Sequence, residues 1–424
     1  MSEAKATASL LPKLRFPEFR DAEAWKPITL HEVSTPVTER VGEKRLTPVS
    51  ISAGIGFVPQ AEKFGRDISG NQYQLYTLVR DGDFVFNKGN SLKFPQGCVY
   101  LLQGWGQVAA PNVFICFRLK NGYSNGFFQN CFEQNQHGRQ LKRHITSGAR
   151  SNGLLNISKE TFFSVEIPTP SPAEQQKIAD CLSSVDELIA AQVRKVDALK
   201  THKKGLMQQL FPREGEAQPR LRFPEFQNAG EWECKTLHDI AKITSGSTPA
   251  RSNPEFYAGG SIPWVKTTDL NNSFIIETEE KVTPKAKVRI NPAGSVLIAM
   301  YGGFNQIGRT GCLATPAATN QAISVLVLDQ KVAIPTYVLA WLNAKVEVWK
   351  RIASSSRKDP NITGSDVAKF VILLPKLNEQ KHIASCLSSF DALITAEIQK
   401  LEALKTHKKG LMQQLFPSPK EVEA

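Results

Sequence analysis

Apolar residues recur in alternating steps of four and three over two long stretches, one in each half of the chain. This spacing is the a/d pattern of a coiled coil. Each stretch follows a proline, carries a glutamate in its first turn and ends at a Phe-Pro pair, where a helix cannot continue. The pattern predicts long helices over residues 172–212 and 376–417, of roughly 39 residues or about 58 Å each. The predicted helix-pair seam comprises Ile178, Leu182, Val185, Ile189, Leu199, Leu206, Ile383, Leu387, Phe390, Ile394, Leu404 and Leu411.

Polar residues interrupt the two seams at equivalent places, at Gln192 and Lys203 in the first and at Glu397 and Lys408 in the second. Polar seam residues reduce stability but can fix register and partner orientation. We therefore expect the helices to pair with each other as an antiparallel coiled coil, with one lobe at each end and a pseudo-twofold axis. The alternative is that each helix is only a long core helix of its own lobe.

A tandem duplication underlies this symmetry. The fourteen residues 199–212 return unchanged at 404–417, an offset of 205 residues, and the arm at 13–19 returns at 220–226. Repeats of this length determine the architecture before any local feature does. The predicted domains are an N-terminal arm (1–19), a first lobe (20–171), the first helix (172–212), a linker with the repeated arm (213–226), a second lobe (227–375), the second helix (376–417) and a tail (418–424).

Both lobes have the short β-like runs and Gly- and Asn-rich turns of an α+β domain with an irregular sheet. Each lobe ends in a basic loop, residues 139–156 or 357–363, followed by a strand. A helix is predicted over 335–352. The predicted strands are 73–79, 83–86, 113–117, 162–167, 295–301, 322–328 and 370–374.

Composition narrows the function. The net charge of +12 and the pI of about 9.3 indicate a polyanionic partner, with nucleic acid the first candidate. No apolar run reaches the roughly 18 residues of a membrane span, and the N-terminus lacks the order of a signal peptide, so we expect a cytoplasmic protein. The seven cysteines include no C-x-x-C, which argues against a disulfide framework and against a zinc site.

Catalytic motifs are missing from the sequence. There is no G-x-x-x-x-G-K-[ST] phosphate loop and no G-x-G-x-x-G after a strand. The segment Asp359-Pro360-Asn361-Ile362 lacks the second proline of the amino-methyltransferase loop, and Glu233-Cys234-Lys235 lacks the partner aspartate of a nuclease. The sequence therefore favours binding and scaffolding over catalysis.

The ordered motifs of the second half carry a family resemblance. The chain resembles the specificity (S) subunits of type I restriction-modification systems, the HsdS family, which have two target-recognition domains separated by two repeated long helices. The matching segments are 232–243, Ser245-Gly-Ser-Thr-Pro249, Ile262-Pro-Trp-Val-Lys-Thr-Thr-Asp-Leu270, Ile298-Ala-Met-Tyr-Gly302, Ile307-Gly-Arg-Thr-Gly311, Ala318-Thr-Asn-Gln-Ala322, Asn361-Ile-Thr363 and Leu374-Pro375. The first lobe lacks the S-G-x-T-P and I-P-W elements.

The resemblance implies that each lobe, as a target-recognition domain, reads one half of an asymmetric bipartite target in double-stranded DNA. The helices would set the spacing and dock two methyltransferase subunits, which restriction subunits would join. No cofactor would be bound by this chain, because S-adenosylmethionine, ATP and magnesium would belong to those partners.

Polar and basic loop residues are the candidates for DNA contact, since Asn, Gln, Arg and Lys pair well with base edges and phosphates. They are Lys88, Asn90, Arg139, Lys142, Arg143 and Arg150 in the first lobe, and Lys266, Thr267, Tyr301, Asn305, Gln306, Arg357 and Lys358 in the second. The alternatives from other classes are a stand-alone DNA methyltransferase or nuclease, and a scaffold whose lobes bind proteins. No catalytic or metal-binding residue is predicted.

Overall fold

The division of the chain into two units crosses both predicted long helices. The structure, a computed structural model, describes residues 10–89, 94–145, 155–301, 306–354 and 361–417. Unit 1 comprises Met1–Val193 and Lys400–Ala424, and unit 2 comprises Arg194–Gln399. Each unit therefore contains one lobe, the first part of one long helix and the last part of the other.

Short strands in unit 1 alternate with loops that are rich in glycine and asparagine. The strands among the described residues are β1 (Lys26–Thr29), β2 (Ser34–Pro36), β3 (Thr47–Ser52), β4 (Gly56–Pro59), β5 (Thr77–Arg80), β6 (Asp83–Asn87), β7 (Cys98–Leu101), β8 (Gln107–Ala110), β9 (Ile115–Leu119) and β10 (Glu166–Thr169). They form sheets in the orders β2-β9-β6-β7, β4-β3-β8-β5 and β1-β10.

The core of unit 1 is rich in aromatic residues. Phe84 stacks on Phe117 with ring centroids 5.3 Å apart, and Phe86 stacks on Phe162 at 4.4 Å. Such offset pairs stabilise a core beyond the area they bury. The α-helices that begin in unit 1 are α1 (Leu30–Val33), α2 (Gln60–Phe64), α3 (Asn125–Glu133), α4 (Gln136–Leu141), α5 (Lys159–Phe163) and α6 (Pro172–Leu210).

Unit 2 has the same mixture of elements. Its described strands are β11 (Glu233–Thr236), β12 (Ala241–Ser245), β13 (Ile262–Val265), β14 (Phe274–Ile275), β15 (Glu280–Val282), β16 (Val296–Ala299), β17 (Thr310–Leu313), β18 (Ala318–Thr319), β19 (Ile323–Leu328) and β20 (Val371–Leu374). They form sheets in the orders β12-β19-β16-β17-β14, β15-β13-β18 and β11-β20. The α-helices that begin in unit 2 are α7 (Leu237–Ile240), α8 (Pro335–Ala344), α9 (Val346–Ser354), α10 (Gly364–Ala368) and α11 (Leu377–Leu415).

Short 3₁₀ turns complete the described part of the chain, at Pro17–Phe19, Gly70–Leu75, Lys142–His144, Pro224–Phe226, Pro254–Phe256, Thr267–Asp269 and Pro284–Ala286. Three local predictions are wrong. The strand predicted over 73–79 begins only at Thr77, because the residues up to Leu75 form a 3₁₀ turn. Residues 162–167 are not one strand, because Phe162 and Phe163 end α5. The helix predicted over 335–352 breaks at Lys345, whose ammonium bonds the carbonyl of Pro212 and lies over the ring of Trp341.

The long helices α6 and α11 are 39 residues each, close to the predicted lengths. Every seam position named above is buried or half-buried; the buried ones are Ile178, Leu182, Val185, Ile383, Leu387 and Ile394. Ile178 and Leu182 join a core shared by lobe residues and the end of α11. Ile383 and Leu387 join one shared by lobe residues and the end of α6.

The last turn of each long helix packs into a lobe within its own unit. In unit 1, Phe416 stacks on Phe127 at 5.4 Å and meets the edge of Trp25 at 6.0 Å. In unit 2, Phe211 meets the rings of Tyr337 at 5.8 Å and Trp341 at 5.4 Å. The identical C-terminal sequences of the helices therefore serve the same purpose in both units, which is to complete a lobe core.

Ion pairs between α6 and α11 occur at repeat-equivalent positions. Asp186 pairs with Lys408 at 2.8 Å in unit 1, and Asp391 pairs with Lys203 in unit 2. Lys195 and Glu397 form a further pair at 2.6 Å in unit 2. The polar seam residues Lys203, Lys408 and Glu397 are thus held by opposite charges.

Candidate nucleic-acid interface

Two candidate DNA-binding segments of the first lobe meet at the end of β6. The strand ends at Asn87, and the next residue, Lys88, accepts a hydrogen bond through its carbonyl from the N–H of Leu155, at 2.9 Å. Leu155 lies near the end of the basic loop, residues 139–156. The bond therefore joins one predicted contact residue to the end of the segment that contributes several others.

The second lobe repeats this arrangement at the end of β16. The N–H of Ile362 donates to the carbonyl of Met300 at 3.0 Å, next to Tyr301. Ile362 lies near the end of the basic loop, residues 357–363. Although their loop sequences differ, both lobes connect the end of a central strand with the end of the basic loop.

Further motifs of the second lobe converge on the same edge. The N–H of Met300 donates to the carbonyl of Ala322 at 2.8 Å. The N–H of Asn320 donates to the carbonyl of Val265 at 3.0 Å, and that of Ser247 donates to the carbonyl of Thr319, also at 3.0 Å. The motifs that lie far apart in sequence therefore form one continuous edge.

Glycine is required at one point on this edge. A Cβ at Gly246 would lie 2.0 Å from the carbonyl oxygen of Thr319, a distance that no side chain tolerates. The close approach lets the following residues lie against the A-T-N-Q-A segment, where the Thr248 hydroxyl bonds the side-chain oxygen of Gln321. Thr248 and Gln321 are exposed and Asn320 is half-buried.

Sequence reasoning did not select Thr248, Asn320 or Gln321 as DNA-contacting residues. Their motifs were visible, and Asn and Gln are suited to base readout. The missing information was that the S-G-S-T-P and A-T-N-Q-A segments lie side by side, which depends on the pairing of β12 with β19.

Lys266 is held by acidic partners. Its ammonium bonds Glu279 at 2.6 Å and Glu280 at 2.8 Å, and these contacts raise the pKa of Lys266. Glu280 also binds Arg251 at 2.7 Å, and the Arg251 guanidinium lies over the ring of Tyr257. A DNA contact by Lys266 would require it to leave two carboxylates, so the structure assigns it first to this network.

The other described candidates of the second lobe differ in exposure. Tyr301 is 44% exposed, Gln306 is half-buried, and Thr267 is 9% exposed within a 3₁₀ turn. Tyr301 therefore has the most accessible side chain of the three. The DNA-binding role of each stays a prediction.

In the first lobe the basic candidates lie around the end of α4. Arg139 is exposed on that helix, and Lys142 and Arg143 are exposed in the 3₁₀ turn that follows it. Lys88 is half-buried beside β7. The remaining candidates, Asn90, Arg150, Asn305, Arg357 and Lys358, lie outside the described residues.

Metal and membrane sites were also sought. Within the described ranges, no three or more His, Cys, Asp or Glu side chains come together as a metal site would require. In the same ranges, no helix combines the length and apolar character needed to cross a membrane.

In a comparison with known protein families, both halves of the chain match the same family. The sequence model of the type I restriction modification DNA specificity domain matches residues 69–201 and 229–406, most of both lobes and both long helices. The chain belongs to this family. The motif edge of the second lobe lies entirely inside the second matched region of the DNA specificity domain.

Specificity subunits are also the curated relatives of this DNA specificity domain protein. It is 32% identical over 183 residues to the MjaIX specificity subunit of Methanocaldococcus jannaschii, with 41% of each chain covered. It is 25% identical over 170 residues to the EcoR124I/EcoR124II specificity subunit of Escherichia coli, covering 39% of this chain and 42% of the relative. These two alignments thus span less than half the length of either relative. A longer one, with the MjaVIII subunit of M. jannaschii, is 26% identical over 291 residues and covers 64% and 66%.

Solved structures establish the fold. The type I restriction-modification S subunit from M. genitalium matches with a TM-score of 0.56 at 14% identity, covering 96% of this chain and all of that one. A chain from a study of assembly and conformational transition in the type I R-M system matches with a TM-score of 0.58 at 18% identity, covering 93% and 98%. The fold is therefore α+β with two domains, as predicted.

Proposed function

We propose that this chain is the DNA specificity subunit of a type I restriction-modification complex, and that each lobe reads one half of an asymmetric bipartite target. One observation carries the proposal. In each lobe a hydrogen bond joins the end of a central strand to the end of a basic loop, Lys88 with Leu155 and Met300 with Ile362. The same strand-to-loop arrangement occurs in both lobes with different loop sequences, and such a pair of sites suits recognition of two different half-sites.

The charge of the chain supports DNA as the ligand. The net charge is +12, and exposed basic side chains lie beside the loop pair of the first lobe. Phosphate contacts supply sequence-independent affinity and register, while contacts to base edges supply specificity. We assign base readout chiefly to polar loop side chains, and phosphate contact to residues such as Arg139 and Lys142.

The long helices would act as a spacer between the half-sites, as an antiparallel coiled coil related by a pseudo-twofold. Within unit 2, the partners of Lys195 and Lys203 are Glu397 and Asp391, which follow in the opposite chain order. The equivalent pair of Asp186 with Lys408 in unit 1 supports the same register. With both lobes on one face of the duplex, half-site centres would lie about 34–36 Å apart, one helical turn.

The helices also offer a docking surface for two methyltransferase subunits. Large apolar side chains are exposed at repeat-equivalent positions, Leu188 and Val193 on α6 and Leu393 and Ile398 on α11. Exposed apolar positions beside a buried seam suit helical partners. Restriction subunits would join this assembly in the cytoplasm. The chain itself would be non-catalytic, with S-adenosylmethionine, ATP and magnesium bound by its partners.

Methylation mapping of a host genome tests the proposal. We expect one split, asymmetric methylated motif when the chain and its methyltransferase partner are present, and loss of that motif when this chain is deleted. Exchange of one lobe for that of a relative should change one half of the motif only. An unchanged methylome after deletion, or a lobe exchange that alters both halves, would contradict the proposal. Methyl transfer by this chain alone would instead support a stand-alone enzyme.

A further inference from the structure

A cavity of about 480 Å³ lies in the first lobe, next to the candidate DNA edge. One wall is formed by β7 and the turn at Gly54, and the other by α3 and the start of α4. The volume is in the range of small-molecule sites, about 300–1,000 Å³. The side chains that matter here are Phe94, Tyr100, Gln129, Phe132 and His137.

The composition of the walls suits a planar heterocycle. Phe94, Tyr100 and Phe132 supply aromatic surface, on which bases of any sequence can stack. The phenol of Tyr100 accepts a hydrogen bond from the N–H of Gly54 at 2.6 Å, and burial raises the pKa of Tyr100 to about 12. A Cβ at Gly54 would lie 3.3 Å from the Phe94 ring, so glycine keeps this side of the cavity uncrowded.

His137 is a buried polar group without an ordinary hydrogen-bond partner among the described residues. It is 1% exposed, lines the cavity and meets the rings of Phe86 and Phe132 edge to face. The backbone of Gly97 lies near it, but neither ring nitrogen makes a hydrogen bond of ordinary geometry with the described residues. Burial lowers the pKa of His137 to about 4, so at neutral pH the ring has one N–H donor and one acceptor. Buried polar groups without partners are rare and require an explanation.

The cavity lies close to the candidate DNA-binding loops of the first lobe. Cys98, in its wall, pairs in the sheet with Asn87, the residue before Lys88. The cavity is therefore one strand, about 4.8 Å, from the place where the two candidate loops meet. Phe94, also in the wall, comes directly after the segment that contains the predicted contact residue Asn90.

We propose that this cavity receives one base turned out of the duplex beside the half-site of the first lobe. The base would stack on the aromatic wall and direct its hydrogen-bonding edge towards His137. Proteins that hold an extruded base replace its lost stacking and pairing with such contacts. The proposal rests on the proposed DNA-reading function. A free nucleoside has the same chemistry, and the experiment separates the two sources.

The test measures affinity for target duplexes that each carry one weakened base pair. The chain is assembled with its methyltransferase partner on the target found by methylation mapping. An abasic site is placed opposite each base of the half-site and its flanks in turn. A base that must leave the stack binds more tightly once its pairing partner is removed. The methyltransferase extrudes its own target base, so a gain at that base is expected in every variant. At one further position we expect about tenfold tighter binding, equal to the loss of about 1.4 kcal/mol of pairing cost.

Two variants assign that gain to the cavity. His137→Phe keeps an aromatic ring against Phe86 and Phe132 but removes both nitrogens. Gln129→Trp fills the cavity from α3. Both should lose the gain, whereas Glu62→Trp, at an exposed position on α2 outside the cavity wall, should retain it.

The possible results distinguish failure of the base-extrusion proposal from failure of the proposed function. Specific binding of the unmodified target with no position of gain besides the base that the methyltransferase extrudes overturns the base-extrusion proposal and leaves the proposed function intact. Absence of specific binding to the mapped target overturns the proposed function. In parallel, adenosine, guanosine, cytidine and thymidine are titrated calorimetrically without DNA. Nucleoside binding that Gln129→Trp abolishes, together with no gain on duplexes, assigns the cavity to a free ligand and overturns the duplex source.

Discussion

Arg15 holds Glu174 through two hydrogen bonds, of 2.8 and 2.7 Å, and the two side chains are only 8% and 1% exposed. The same guanidinium donates to the carbonyls of Ala22 and Glu23, and the Trp25 indole donates to Glu174 at 3.3 Å. Arg222, Glu379 and Trp232 repeat the arrangement in unit 2 with the same distances. The repeated arm therefore ties the start of each long helix to its lobe.

Removal of one partner of this pair should be strongly destabilising. We expect Arg15→Ala to reduce the free energy of unfolding by about 3–5 kcal/mol, because it leaves the Glu174 carboxylate buried without its counter-charge. Urea denaturation of the chain checks the value. Glu18→Ala breaks the half-exposed pair of Glu18 with Lys177 and should reduce the free energy of unfolding by at most about 1 kcal/mol. Equal effects of the two substitutions would contradict a special role for the buried pair.

An exchange of the two charges in the ion pair of Lys203 with Asp391 should leave most of the stability of unit 2 intact. Asp391→Lys alone places two cations together and should destabilise unit 2 by about 1 kcal/mol, while the double exchange Lys203→Asp with Asp391→Lys should restore most of that loss. A double-mutant cycle on thermal unfolding measures the coupling free energy. A coupling free energy indistinguishable from zero would mean that the pair does not hold the two helix segments.

Acid should weaken the network behind the S-G-S-T-P loop. Arg251 first, and then Lys266, lower the pKa of Glu280 from 4.5 to about 2. Because this pKa is depressed in the folded state, the stabilisation is fully present above pH 4.5 and is lost as the pH falls through about 2. We expect Glu280→Gln to lower the melting temperature at neutral pH and to approach the wild type in acid. A melting-temperature difference that stays constant with pH would show that the Glu280 charge does not contribute.

The Thr248–Gln321 contact should matter for one half-site only. Because Gln321 accepts through its side-chain oxygen, its amide N–H groups are left to donate to DNA. We expect Gln321→Ala to weaken binding by about 1–3 kcal/mol if the amide reads a base, and to relax the motif at one position of the second half. Methylation mapping measures the position. Uniform weakening across sequences would indicate a phosphate contact instead.

Longer helices should widen the target. An insertion of seven residues in both α6 and α11 preserves the heptad phase and adds about 10 Å of helix. If the helices set the spacing, the gap between the half-sites should grow by about three base pairs. Insertion in α6 alone, which puts the pair out of step, serves as the control and should abolish methylation. An unchanged gap after the double insertion would overturn the spacer role.

Long-range periodicity made the helices predictable. The heptad pattern predicted the ends of α6 and α11 to within two residues, because heptad spacing over several turns is a strong signal. The strand predicted over 162–167 failed, since short apolar runs fit a buried helical turn as well as a strand. Phe162 and Phe163 are buried from α5, and the strand begins only at Glu166.

The candidate site was predictable only in part. Basic loops and motif segments were visible in the sequence, but their arrangement depends on backbone pairing across long separations, such as Leu155 with Lys88. The ion pairs of Lys266 could not be predicted, because its acidic partners are thirteen and fourteen residues away and no local pattern indicates them. His137 had no signal, because its significance lies in the cavity that it lines.

The packing of Phe416 against Trp25 and Phe127 determines which of the two units can finish folding first during synthesis. The ribosome makes the first lobe early, yet the core of that lobe lacks its final aromatic residue until the chain has been translated through residue 416. Unit 2, by contrast, is a continuous segment from Arg194 to Gln399 and has all its parts sooner. The half of the protein that is translated second can therefore finish folding first, and the half translated first waits with an incomplete core.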